Sequence, residues 1–167
     1  MLQKTATLID ALNERIGNAV AWLVGIMVAI TFAVACMRYG FNLGSIAMQE
    51  SIVYLHSIIF MLAIAYTYKH NEHVRVDIFY GNFSDKNKAW VDLLGTVFLL
   101  LPVCVYLVFI SWEYAAKSWV LLEGSPEAGG LPLIFILKTL VPLMPVLLAL
   151  QGIATICRSI TTITDSK

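Results

Sequence analysis

Charged residues are gathered into clusters along this chain, and the clusters are separated by long intervals that contain none. Ile16 to Met37 is free of charge for 22 residues, Ser51 to Tyr68 for 18, Leu93 to Trp112 for 20 and Thr139 to Cys157 for 19. A helix rises about 1.5 Å per residue, so about 20 apolar residues cover the roughly 30 Å hydrocarbon core of a bilayer. Each interval therefore predicts one membrane crossing. The second is the shortest, and Tyr66, Tyr68 and Lys69 lengthen it by placing their polar ends among the headgroups. With flanking residues included, the predicted helices cover about 16–37, 51–68, 91–112 and 133–158. The first interval is longer than the roughly 7–15 apolar residues of a cleaved signal core, and Asp10 and Glu14 precede it, so a retained helix is expected there.

Composition supports the same picture. The 167 residues are 59% hydrophobic and 13% charged, against about 45–50% apolar and about 25% charged in ordinary globular domains. Mean hydropathy is +0.80. The formal net charge of zero argues against a nucleic-acid partner. The expected fold is an all-α integral membrane protein with four transmembrane helices and short interfacial segments, forming a single membrane domain over residues 1–167.

Four crossings put both termini and the middle loop on one side. That side carries Lys4, Arg15, Lys69, Arg75, Lys86, Lys88, Arg158 and Lys167, eight of the eleven basic residues. The other side carries Arg38, Lys117 and Lys138. Basic residues stay in the cytoplasm, so both termini are expected there. Trp22, Tyr66, Tyr68, Phe79, Tyr80 and Trp90 would line the inner interface, and Phe41, Trp112, Tyr114 and Trp119 the outer one.

The connections are short. Tyr39 to Gln49 is too short to cross and too apolar for a free loop, which predicts an interfacial turn or short helix. In the inner loop, Val74, Val76 and Ile78 alternate with Arg75 and Asp77, a pattern that fits an extended strand and also a helix with Val74 and Ile78 on one side. Ser84 is positioned as the N-cap of the third helix, with Asp85 in its first turn. Ser125-Pro126-Glu127 reads as a capped helical turn, broken by Gly129 and Gly130. Pro142 and Pro145 remove two backbone donors from the last helix.

Candidate chemistry is sparse. Cys36, Cys104 and Cys157 have no metal-ligand spacing and read as small buried hydrophobes. His56 is the one histidine inside a crossing, and His70 and His73 follow on the same helix, so facing haem ligands are not expected. His56 reads as a packed or hydrogen-bonded residue in the outer third of the second helix. No phosphate loop, HExxH or GxSxG pattern occurs. No cofactor and no catalysis are expected. The crossings hold no other ionisable group, and ionisable groups mark transport pathways, so the chain is expected to serve another membrane protein.

Arg38-Tyr39, Glu50, Ala65-Tyr66 and His73-Val74-Arg75-Val76-Asp77 resemble the DctQ-like small permease subunit of tripartite ATP-independent periplasmic (TRAP) transporters. Ala89-Trp90, Gly95, Leu101-Pro102, Trp112, Glu123-Gly124-Ser125, Gly129-Gly130-Leu131-Pro132 and Lys138 extend the resemblance, which runs from about residue 15 to about 158. It implies a bacterial inner-membrane subunit that scaffolds a large multi-helix permease subunit. A periplasmic substrate-binding protein would deliver an organic acid, such as a C4-dicarboxylate or sialic acid, for sodium-driven uptake. Membrane lipids would be the remaining partner. Alternatives are a self-contained homo-oligomeric channel and a redox membrane subunit.

Candidate interface residues follow. Gly17, Ala21 and Gly25 form a small-residue strip at helical spacing, suited either to a partner or to packing within this chain. Arg38 and Glu50 stand near the outer ends of their helices. His73, Arg75 and Asp77 could meet the large subunit or belong to a solvated turn. Glu123 and Ser125 would face the receptor or fix their own loop.

Overall fold

The computed structural model describes residues 2–73 and 80–165. Val74 to Asp77, including Arg75 and Asp77, lie outside the described residues. Four long helices dominate: α1 (Leu2–Gly40), α2 (Ile46–Lys69), α3 (Asp85–Leu121) and α4 (Ile134–Asp165). All four are long and apolar enough to cross a membrane, and no strand occurs among the described residues. The helices outrun their charge-free intervals because helical hydrogen bonding does not stop at the hydrocarbon boundary. α1 begins at Leu2, well before Ile16, and carries Asp10, Asn13 and Glu14 on its polar extension.

The segment expected to lie along the outer surface is shorter than the sequence indicated. Ile46 to Gln49 form the first turn of α2, because Ser45, in an extended conformation, accepts from the Met48 backbone N–H at 3.4 Å. The remaining link turns through Asn42, whose φ of 54° is left-handed. Ser84 caps α3 as expected, accepting from the Asn87 N–H at 3.4 Å.

α3 contains one turn of π-helix, Thr96–Leu100, in which the Leu101 N–H reaches back to the Thr96 carbonyl. Pro102 follows directly. A proline ring clashes with the carbonyl four residues back and lacks a donor, and the wider π-turn accommodates that defect. Gly152 of α4 sits against this turn. A Cβ there would come within 2.8 Å of Leu100 and 3.1 Å of Thr96, so glycine sets how closely α4 approaches α3.

α4 is the centre of the bundle. It packs against α1, α2 and α3, whereas α2 and α3 barely touch. Its most apolar window is 44% buried, against 6–11% in the other three helices. Pro142 and Pro145 lie buried within α4, which runs unbroken through both. The buried set is mostly small or polar, with Ala6, Ala65, Ala154, Cys104 and Cys157 beside Asn13, Gln151 and Ser118, and Val20, Leu140 and Leu147 its larger apolar members. Large apolar side chains such as Phe32, Phe60 and Phe109 face outward. In lipid, contact between helices depends on close backbone approach and hydrogen bonds, since the tails solvate leucine and phenylalanine well. Cys36, by contrast with its two counterparts, is exposed and is not a core residue.

Candidate functional site

Polar side chains gather at the two ends of the bundle, and each set ties different helices together. At the end shared by the start of α1 and the finish of α4, Gln151 is completely buried. It accepts from Asn13 Nδ2 at 2.7 Å and donates to Asp10 Oδ1 at 2.8 Å. Asp10 also receives Arg158 Nη1 at 2.6 Å. One turn along α1, Glu14 pairs with Lys69 at 2.6 Å and His70 at 3.0 Å, both on α2. Lys69 donates as well to the Asp10 carbonyl at 3.3 Å. Asp10 and Glu14 lie four apart on one helical face, so α1 reaches α4 and α2 through adjacent carboxylates. Tyr68 of α2 meets the buried Thr96 of the π-turn at 3.2 Å, extending the polar contacts to α3.

At the opposite end the loop between α3 and α4 is held by Glu50 of α2. One carboxylate oxygen accepts from the Ser125 hydroxyl, and the other from the Leu131 N–H at 2.6 Å. The Ser125 N–H donates to the Leu131 carbonyl at 3.0 Å, closing the loop on itself. Ser125 is not the start of a helical turn. Its hydroxyl accepts from the Glu127 N–H only two residues on, at 3.1 Å, which makes a local side-chain turn. Gly130 passes so close to Ser125 and the Glu50 carboxylate that a Cβ would collide with both.

A second clamp lies beside the first. α3 ends in a left-handed residue, Leu122, and the Glu123 N–H bonds back to Ser118 at 3.1 Å. This turn aims the Glu123 carboxylate at Lys138 of α4, 2.6 Å away. The Lys138 ammonium also lies 4.3 Å from the centre of the Tyr114 ring. The hydrogen bond from Lys138 holds the Glu123 carboxyl below the usual carboxylate range. Trp119 donates to Thr139 at 2.8 Å and meets Phe135 edge-on, completing the α3–α4 contact.

The candidate interface residues are therefore divided. Glu50 and Ser125 are brought together, and Glu123 finds Lys138, all within this chain. Gly17 is buried where a Cβ would run into the Tyr66 ring, so it serves the α1–α2 contact. Ala21 and Gly25 are exposed, and nothing approaches the missing Cβ of Gly25. Arg38 is exposed and has no ion pair or hydrogen bond among the described residues. His73 is exposed, with its Nε2 3.3 Å from the Ile64 carbonyl. Arg75 and Asp77 lie outside the described residues.

His56 departs from expectation. It is neither packed inside the bundle nor hydrogen-bonded among the described residues. It lies exposed on α2, with its ring roughly parallel to that of Phe60 at 6.3 Å. The sequence reading also passed over Asn13 and Gln151. Neither is ionisable, so an inventory of charges misses them, although a glutamine amid nineteen uncharged residues was the available signal. Among the described residues no group of three or more His, Cys, Asp or Glu side chains could hold a metal ion. What the two polar ends can do chemically is fix the helices to one another.

No curated protein and no solved structure matches the chain significantly. The family model described as tripartite ATP-independent periplasmic transporters, DctQ component, matches residues 27–162, from the second half of α1 almost to the end of α4. The chain belongs to this family and is a membrane component of a TRAP transporter.

Proposed function

We propose that the chain is the non-catalytic small subunit that braces the large carrier subunit of its transporter in the bacterial inner membrane. It acts as one membrane domain with both termini in the cytoplasm. The carrier performs sodium-driven uptake of an organic acid, a C4-dicarboxylate, sialic acid or similar carboxylate, delivered by a periplasmic binding protein.

The observation that carries this reading is the place of α4. A self-sufficient carrier or channel needs a polar route near its axis, with ionisable groups or interrupted helices along it. Here the axis is filled by a continuous helix, the most buried of the four. The charges stand at the two ends, where Glu14, Asp10 and Glu123 pair with Lys69, Arg158 and Lys138. Such a bundle is suited to resist deformation. The clamp formed by Glu50, Ser125 and Leu131 supports a related role for the outer loop, whose exposed tip, Pro126 to Gly129, gives the receptor a firm platform.

The test is reconstitution. Liposomes containing this chain, the large subunit and the receptor are expected to accumulate labelled carboxylate under an inward sodium gradient. Liposomes with this chain alone are expected to accumulate none. Uptake by the chain alone, or its purification as a ring of identical copies without the large subunit, would replace this reading with a self-contained channel.

A further inference from the structure

The outward face of α2 carries an exposed imidazole in the middle of a crossing. Gln49, Val53, His56 and Phe60 are spaced by four, three and four residues, and all four are exposed. At about 100° per residue they form one narrow stripe. The same alternation of three and four lines the seam of paired helices. Val53 is 55% and Phe60 61% exposed, while Ala65, on the opposite side of α2, is completely buried.

Depth is what makes His56 informative. It lies six residues from Glu50 and thirteen from Lys69, or about 9 Å and about 20 Å along the axis. Both of those residues sit at the polar ends of the crossing. An imidazole in between is too short to reach either interface, and lipid tails offer it no hydrogen bond. Other hydroxyl-bearing residues exposed at depth resolve the same difficulty locally. Thr31 donates to the Met27 carbonyl at 2.7 Å, and Ser57 to the Val53 carbonyl at 2.8 Å. His56 makes no such bond and has no hydrogen bond of any kind among the described residues. The broad outer face of α3 is mostly apolar, with Tyr106 as an exposed phenol. Val105, Phe109 and Ile110 present apolar groups that lipid covers without loss.

A second group continues the stripe at its outer end. Arg38, Asn42 and Gln49 line one shallow polar depression together with Leu43 and Gly44. Arg38 has no counter-charge there. The nearest acidic residue on α2, Glu50, is committed to Ser125 and Leu131.

We propose that the α2 stripe, with Arg38 at its head, docks against a transmembrane helix of the transporter's large subunit. That helix offers a hydrogen-bonding side chain opposite His56 and an acidic side chain near Arg38. This inference rests on the bracing role proposed above and assigns its contact face. A second copy of this chain fits the face poorly. Two copies inserted in the same direction and related by a two-fold axis would bring Arg38 toward Arg38, with no acid free to separate them.

The test uses the tagged chain co-expressed with its large subunit. A photoreactive benzoylphenylalanine is placed at Val53, at Phe60 and, for comparison, at Phe109 on α3. Illumination is expected to yield a covalent adduct with the large subunit from positions 53 and 60, several-fold above position 109. His56→Leu and Arg38→Glu are each expected to lower the amount of co-purified large subunit several-fold, and His56→Gln to restore most of it. Adducts to the large subunit only from position 109, adducts only to a second copy, or normal co-purification with His56→Leu would each overturn the assignment of this face. If the unmodified chain fails to co-purify the large subunit at all, the bracing role itself fails, and the α2 contact falls with it.

Discussion

Gln151 shows how far one uncharged side chain can organise a membrane bundle. Its fully buried amide spans from the buried Asn13 to the partly exposed Asp10. Gln151→Leu keeps the volume and leaves the Asn13 amide and one Asp10 oxygen without their donor or acceptor. A buried polar group left unpaired costs about 1–3 kcal/mol, and a loss in that range is expected in thermal unfolding of the purified protein. The double variant Asn13→Leu/Gln151→Leu should lose less than the sum of the two single variants, because both ends of one bond are removed together. Simple additivity would show that the bond contributes nothing specific. Glu123 permits a titration. Lys138 holds its folded pKa below the ordinary value of 4.5, so its contribution is fully present above that value. It fades as pH falls through the lower, folded value. The difference in unfolding midpoint between the wild type and Glu123→Gln should therefore be constant near neutrality and shrink in acid below 4.5. The charged clamps were legible in part: Glu50 stood near the outer end of its helix, and Glu123 and Ser125 read as facing the receptor or fixing their own loop. Their partners were not, since Leu131 meets Glu50 only through a backbone N–H and Lys138 read simply as one of the basic residues of the outer side.

At the scale of elements, the number and order of helices followed from the intervals without charge, because burying a charge in hydrocarbon is costly enough to override local preferences. Helix ends were less legible. Headgroups and water permit a helix to continue, so α1 runs back to Leu2 and α2 absorbs Ile46 to Gln49. Helix–helix contact was half legible. Gly17, Ala21 and Gly25 share a spacing, yet only Gly17 lies against another helix, because α1 turns its later residues outward. Contact at Gly17 is with the face of the Tyr66 ring, so a methyl group has nowhere to go unless the ring or the helix moves. Gly17→Ala is expected to destabilise the α1–α2 pair by about 1–3 kcal/mol. Gly25→Ala is expected to be neutral or slightly stabilising through helix propensity. Comparing the two unfolding midpoints checks the assignment, and equal effects would mean that the strip acts as a unit.

For the whole molecule, the sequence placed polar chemistry at the ends and grease between them, but not the helix that would occupy the middle. That choice depends on which crossing combines small and hydrogen-bonding side chains on several faces. α4 does so with Gln151, Gly152, Ala154 and Ser159, whereas the others each present one such face. Its central position brings both termini to the same end, since Ala6 packs against Ala154 and Cys157. The side of the membrane at which that end lies is expected from the distribution of basic residues. Lys69 and Arg158 are matched by Glu14 and Asp10. Lys4, Arg15, Lys86, Lys88 and Lys167 still leave that end richer in basic residues than the other. The expected topology puts it in the cytoplasm. An alkaline phosphatase fused after Lys167 should be inactive, whereas the same reporter inserted at Ala128 should be active. The reverse pattern would turn the bundle over, placing the Glu50 clamp in the cytoplasm and removing the outer loop from any contact with a periplasmic receptor.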